Sequence, residues 1–349
     1  MKPSKTNLWP NIVGQDRAKR MLEFFLAGYN ATRIIPHLLF IAPKGCGKTT
    51  MAKATAMQLM SREDSTKPKP FLEINCSTIK NVKQLFNQII IPHVAHKECT
   101  ILFDEASELP KDVTMALLTI LNPNAENRTQ FTIEDYTVDF DFSMHTFMFA
   151  TTEAQSIFHA LIDRCERIDM EEYSYTELGE IVKRVGKDTT FDDGLLDTIA
   201  TTLRGNARQA QKMANKIKVY LSSKRRNHFS DEDWGSLTHS LGILPLGLSP
   251  IEIQVLGFLG QRKDCSLTYL AAKTGLTKAC LQRDFEMYLQ KHNLMEITTA
   301  GRKITAKGGE YLKQLPDDMR PETTISEKIE GLTEQVKEAL DKKKELTKI

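Results

Sequence analysis

The chain has 349 residues and a formal net charge of +2, with 41% hydrophobic and 26% charged residues, the balance of an ordinary soluble globular protein with room for two or three domains. No apolar run approaches membrane-spanning length, and Met1-Lys2-Pro3-Ser4-Lys5 lacks a signal-peptide core, so the expected setting is cytoplasmic with no membrane. The six cysteines form no C-x-x-C pair, so neither a zinc ribbon nor a disulfide framework is implied, and a reducing compartment fits.

The first strong signal in chain order is the apolar run 37–41, read as a buried strand, followed by Ala42-Pro43-Lys44-Gly45-Cys46-Gly47-Lys48-Thr49 and a helix opening at Thr50. Strand, glycine turn, Gly-Lys-Thr and helix form the context a phosphate-binding loop requires. Gly45 and Gly47 let successive N–H groups, including that of Cys46, point inward at a phosphate, and the helix N-terminus adds partial positive charge. Lys48 supplies a full charge to the β- and γ-phosphates, and Thr49 offers a hydroxyl to Mg²⁺. Ala42 replaces the first glycine of the consensus, a substitution that costs something only if the position needs a positive φ.

Further strands are predicted at 71–75, 100–104 and 146–151, alternating with helical stretches, so the first half reads as an α/β domain with a mainly parallel sheet. His93, His96 and Cys99 have metal-like spacing but no fourth ligand, and read as loop residues. The strand 100–104 ends in Asp104-Glu105, placing carboxylates where such sheets bind ligands. Asp104 is assigned to Mg²⁺ and Glu105 to polarising the attacking water. An acidic strand end meeting a helix N-terminus would look the same in isolation. Residues 130–133 and 136–140 alternate about Glu134-Asp135 as a hairpin, and Thr152 follows the strand 146–151 as a strand-end hydroxyl.

Residues 174–226 lack strand signals and read as helices, one of them spanning about 206–222 with Ala210, Met213, Ala214, Ile217 and Leu221 on one face. A boundary falls near 242–247. Ser249, Pro250 and Glu252 then open a helix as N-cap, first-turn proline and capping-box glutamate. Helices at 267–274 and 277–292 follow, then strands at 294–298 and 302–305 joined through Thr299-Ala300-Gly301. Three helices and a β-ribbon make a winged-helix pattern, though a plain helical bundle shares much of it. Residues 246–315 carry 10 basic against 6 acidic side chains, the basic segment of the chain and a pointer to nucleic acid. The tail 316–349 is highly charged, with Ile329, Leu332, Val336 and Ala339 at heptad spacing, and reads as a solvated helix.

From Leu8 to Leu315 these motifs, in this order, resemble the RuvB family, the Holliday-junction branch-migration motors among the AAA+ ATPases. Ile12-Val13-Gly14-Gln15 resembles the segment lining the family's adenine pocket, and Tyr173 its tyrosine near the adenine. Ala150-Thr151-Thr152 resembles the sensor-1 strand end, and Arg204-Gly205-Asn206-Ala207-Arg208 the sensor-2 motif, whose arginine contacts the γ-phosphate. Leu161-Ile162-Asp163-Arg164-Cys165 resembles the arginine-finger segment, which implies that Arg164 reaches a neighbouring subunit's nucleotide; without the family, a surface pair with Asp163 or Glu166 is the simpler reading. The family's wing carries two arginines; Ala300 stands at one position and Arg302 at the other, so Arg302, Lys303 and Lys307 are the expected DNA contacts.

The resemblance implies an AAA+ P-loop domain with a parallel sheet at 1–172, a helical lid at 173–245, a winged-helix DNA-binding domain at 246–315 and a charged tail at 316–349. It implies ATP and Mg²⁺ as ligands, a homo-oligomeric ring, six-membered by the family, duplex or four-way-junction DNA as substrate, and a RuvA-like junction-recognition partner. Two other readings stay open: a clamp-loader-like ATPase, and a winged-helix regulator with a nucleotide switch that reads bases through Lys278, Gln282 and Arg283.

Overall fold

The computed structural model describes residues 8–320 apart from 96, 122–127, 134–135, 143–144, 263 and 317–318, and the backbone alone of 128–133 and 136–141. The chain divides between Asp231 and Glu232 into two compact units.

The first unit opens with α1 (Asp16–Thr32), whose Ala18, Leu22, Leu26 and Tyr29 make one buried stripe at helical spacing. It continues through β1 (Leu38–Ile41), α2 (Lys48–Ala56), β2 (Phe71–Asn75), α3 (Val82–Leu85) with a π-helical extension over Phe86–Val94, β3 (Thr100–Asp104) and α4 (Lys111–Ile120). Then come the hairpin β4 (Arg128–Ile133) and β5 (Tyr136–Asp141), β6 (Thr146–Thr151), α5 (His159–Ile162) and β7 (Glu166–Asp169). Five strands form one parallel sheet in the order β2-β3-β6-β1-β7. Helices cover such a sheet on both faces, which is why β1, β3 and β6 are almost continuously apolar and almost wholly buried.

A core of buried side chains joins sheet to helices. Phe103 stacks on Phe149 at 5.3 Å between ring centroids and on Phe147 at 6.5 Å, alongside Phe86, Leu117 and Leu161. Each buried phenylalanine contributes about 1.5–3 kcal/mol. The anticipated hairpin pairs antiparallel with Ile133 opposite Tyr136, and its tip, Glu134-Asp135, lies outside the described residues.

Three helices follow, α6 (Tyr175–Gly186), α7 (Leu195–Thr201) and α8 (Ala207–Lys224). Ser174 caps α6 in a capping box with Glu177. The five apolar residues predicted for the face of the helix near 206–222 are all buried. One correction concerns strands: the region read as purely helical contains β8 (Thr190–Phe191), which pairs in parallel with β9 (His228–Phe229). A two-residue strand is too short to leave a period-2 signature.

The second unit holds α9 (Asp231–Leu241), α10 (Pro250–Gly260), α11 (Leu267–Thr274), α12 (Lys278–Cys280) continued by a π-helical turn over Leu281–Glu286 into α13 (Met287–Lys291), then β10 (Met295–Thr298), β11 (Gly301–Ile304) and α14 (Ala306–Gln314). α9 thus begins at the division between the units. Ser249 and Glu252 form the predicted capping box, and Gly275 ends α11 in the left-handed region. The wing is tighter than expected. Thr298 pairs with Gly301, so only Thr299 and Ala300 form the turn, and Arg302 also pairs by backbone with Cys265. Of the predicted tail, residues 321–349 lie outside the described residues.

Candidate nucleotide site and nucleic-acid interface

The central position of β6 in the sheet builds the first site. Because β6 lies between β3 and β1, the chain after Thr151 emerges between the loop after β1 and the Asp104-Glu105 end of β3. These are carboxyl ends of parallel strands, where α/β sheets bind ligands. A cavity of about 320 Å³ opens there, lined by Gly45, Gly47, Lys48, Thr49, Thr50, Asp104, Glu105, Thr152 and Arg208 among others.

Gly45 and Gly47 take φ of 83° and 89°, the left-handed turns that curl the loop. Ala42 has no positive φ and is buried, with its N–H bonded to the Thr151 carbonyl at 3.3 Å. The position therefore needs a small side chain and tolerates alanine. Lys48 is 9% exposed, and its Nζ donates to the carbonyls of Ala42 at 2.8 Å and Pro43 at 3.2 Å. Burial lowers its affinity for the proton below the usual lysine range, while Cys46, Asp104 and Glu105 act in the opposite sense.

The Thr49 hydroxyl donates to Asp104 Oδ2 at 2.8 Å, and Asp104 Oδ1 accepts the Glu105 N–H at 3.0 Å. Glu105 itself stands at φ 58°, ψ 47°, an unfavourable conformation for a non-glycine residue, with its side chain exposed to the cavity. Strain of this kind, costing about 1–3 kcal/mol, persists where surrounding structure imposes it and clusters at functional sites. Two oxygen donors held together beside a buried ammonium, with a free carboxylate and a hydroxyl (Thr152) facing them, can bind a phosphate chain and activate a water against it.

Other anticipated residues do not line this cavity. Cys46 is buried, its sulfur 3.9 Å from the Gly205 carbonyl. Tyr173 is buried and donates its hydroxyl to the Cys46 carbonyl at 3.3 Å, and burial pushes its phenol up to about 12. Ile12 is buried and accepts a bond from Lys19 Nζ at 2.8 Å; Val13 is half-buried. Arg164 is turned back onto the Ala160 carbonyl at 2.9 Å, its Nε buried without a hydrogen-bond partner.

Two amide side chains stand in segments quoted for the family resemblance, but neither was given a role from the sequence. Gln15 donates to the Glu171 carbonyl at 2.7 Å and accepts the Glu171 N–H at 3.1 Å, tying the Ile12-Val13 segment to the stretch leading to Tyr173. Its segment was legible, but nothing local marks its partner 156 positions away. Asn206 caps α8 and touches the phosphate loop; its place just before a helix was a readable N-cap signal. Among the described residues no group of histidine, cysteine and carboxylates is arranged to hold a metal ion, and His96 lies outside them.

On the second unit, Arg302 is engaged within the protein itself. Its guanidinium grips Glu286 through two bonds, at 2.9 and 3.2 Å, with 14% of the arginine side chain exposed. An arginine paired with a carboxylate in this way ties the wing to the helix 278–291. Lys303 and Lys307 are exposed, Lys303 lying 4.0 Å from Glu296 in a loose surface pair.

Comparison with known proteins agrees with this geometry. The profile of the AAA family, "ATPase family associated with various cellular activities", matches residues 38–173, and that of the RuvB C-terminal winged helix domain matches residues 245–313. Curated relatives include the Holliday junction branch migration complex subunit RuvB of Campylobacter hominis, 24% identical over 86% of this chain and 88% of that one. The RuvB subunit of Ehrlichia canis is 27% identical over 89% of this chain and 93% of its own. Among solved structures, the Thermotoga maritima RuvB Holliday junction branch migration motor superposes with a TM-score of 0.69 at 21% identity, covering 88% of this chain and 99% of that one, a likeness of fold. An AAA ATPase domain is thus followed in the same chain by a RuvB-type winged helix, the domain order of a RuvB-like AAA ATPase.

Proposed function

We propose that the protein is an ATP-driven motor that translocates duplex DNA and drives branch migration at four-way junctions. The observation that carries this is the pairing of a fully assembled phosphate site, Lys48 with the bonded Thr49–Asp104 pair, with a RuvB-type winged helix downstream. Curated relatives named as RuvB subunits, matched over most of their length, support the same reading.

In this reading Lys48 and the N–H groups of the loop hold the β- and γ-phosphates, Glu105 orients the attacking water, Thr152 positions it and Arg208 meets the γ-phosphate. Mg²⁺ fits the site because Thr49 and Asp104 offer hard oxygen donors 2.8 Å apart. When bound, the ion neutralises charge on the β- and γ-phosphates. Ile12, Val13 and Tyr173 flank the base. Arg164 acts on the next subunit's site in a homo-oligomeric ring, six-membered as the family resemblance implies.

Lys303 and Lys307 contact DNA phosphates without reading sequence. A RuvA-like protein that recognises the junction is the natural loading partner, and the cytoplasm the setting. Among the described residues no single helix is long and apolar enough to cross a membrane. The winged helix counts against the clamp-loader alternative, and sequence-independent binding would separate the motor from a base-reading regulator.

The test is steady-state ATP hydrolysis by the protein alone, with linear duplex and with a four-way junction, using Glu105→Gln as the blank. Stimulation by DNA that disappears in the variant supports the motor. Hydrolysis indifferent to both DNAs, measured also with a RuvA-type protein present, refutes it.

A further inference from the structure

We infer that Asn206 is a positioning residue of the nucleotide site, a bridge that locks the phosphate loop to the helix carrying Arg208. The inference rests on the ATP-hydrolysis reading above and gives a role to a residue that the sensor-2 resemblance quotes but leaves without one.

The side chain is engaged on both of its ends. Oδ1 accepts the N–H groups of Arg208 at 2.9 Å and Gln209 at 3.2 Å, satisfying the first turn of α8. Nδ2 donates to the Lys44 carbonyl in the phosphate loop at 3.1 Å. Reversing the amide would set NH₂ against two N–H groups and oxygen against oxygen, so the partners fix its orientation. Serine, threonine or aspartate would cap the helix about as well. Of these residues, only asparagine caps the helix and also donates to the loop.

The loop is shaped to receive it. A Cβ added at Gly45, itself at φ 83°, would fall 2.1 Å from Asn206 Oδ1. Beside this contact the Cys46 sulfur lies 3.9 Å from the Gly205 carbonyl, which also accepts the Tyr173 N–H at 3.2 Å. The turn at Gly205-Asn206 is thus seated on the loop that holds the phosphates, two residues before Arg208. Arg208 lines the same cavity as Lys48. Its direction toward the γ-phosphate is set by the first turn of α8, and Asn206 anchors that turn. Loss of the bridge frees the helix to drift, and a displacement of about 1 Å at a reacting group costs up to about a hundredfold in rate.

Asn206→Ser separates the bridge from the cap, because serine still caps but is neutral and too short to reach Lys44. The parent, Asn206→Ser, Arg208→Ala, the double variant and Lys48→Ala are compared by steady-state ATPase with duplex DNA, by titration with fluorescent ATP and ADP analogues, and by thermal unfolding. The expected result is parental unfolding and ADP affinity for Asn206→Ser, with kcat reduced about tenfold or more and a narrowed preference for ATP over ADP. The double variant should be no slower than Arg208→Ala alone, since both changes remove one device. Asn206→Ser within about twofold of parent in kcat and in ATP preference, or rate losses that multiply in the double variant, overturns the bridge. Failure of the parent to bind ATP, or parental behaviour in Lys48→Ala, would instead sink the ATPase reading on which the inference rests.

Discussion

Arg302 Nε and Nη2 meet the two carboxylate oxygens of Glu286 at 2.9 and 3.2 Å, and the glutamate side chain is only 2% exposed. The pair joins the wing to the helix 278–291. Removing the arginine would strand a buried carboxylate, a change that costs about 3–5 kcal/mol in comparable pairs. Arg302→Ala should therefore lower the unfolding temperature of the winged-helix unit, and Arg302→Lys should recover only part, because a lysine cannot reproduce the two-point contact. Thermal unfolding followed by circular dichroism decides it: an unchanged transition in Arg302→Ala would mean that the pair contributes little.

Lys303 and Lys307 should behave differently. Both are exposed, so their loss leaves the fold intact; under the proposed function it also removes two phosphate contacts. Lys303→Ala and Lys307→Ala should each weaken binding uniformly across DNA sequences and flatten the log–log salt dependence by about 0.9. Fluorescence anisotropy at several salt concentrations reads both quantities. Parental slopes in both variants would move the DNA contact elsewhere on the molecule.

Ala42 offers a test of the loop itself. It stands where the consensus has glycine, yet its backbone never enters the left-handed region. Ala42→Gly should leave kcat and KM within about twofold, and lower stability by about 0.4–1 kcal/mol through the freer unfolded chain. Faster turnover in Ala42→Gly would show that alanine restrains the loop in a way its dihedral angles do not reveal.

What could be read from the sequence was whatever chemistry confines to a few consecutive residues. The phosphate loop needs its glycines, lysine and threonine within one turn, so Gly45, Gly47, Lys48 and Thr49 were legible, as was the capping box at Ser249 and Glu252. The buried strands announced themselves by uninterrupted apolar runs, and the bounds of β2, β3 and β6 match those predicted. Contacts between distant segments left no trace: Gln15 pairs with Glu171 across 156 positions, and Asn206 with Lys44 across 162. The direction of Arg302 was hidden for a related reason. A basic residue in a wing reads as a DNA contact until the carboxylate beside it is placed, and Glu286 lies 16 positions earlier, on a helix.

Arg164 permits the sharpest test of assembly. It lines no part of the nucleotide cavity of its own chain; it lies against the Ala160 carbonyl, with Nε buried and without a partner. If it completes a neighbour's site, Arg164→Ala and Glu105→Gln each destroy activity but in different halves of the composite site. A head-to-tail interface repeats around a closed ring, so in an equal mixture a site is whole when its own subunit carries the intact glutamate and the next carries the intact arginine. Random mixing makes about a quarter of the sites whole. Two inactive preparations should therefore regain on the order of a quarter of parental ATPase when mixed and allowed to exchange subunits, an outcome that an arginine acting within its own chain cannot give. Assay of the mixture against each variant alone, at equal total protein, reads the difference. Activity that stays at the level of the separate variants, with subunit exchange demonstrated by fluorescence transfer, would return Arg164 to a surface residue bonded to its own helix.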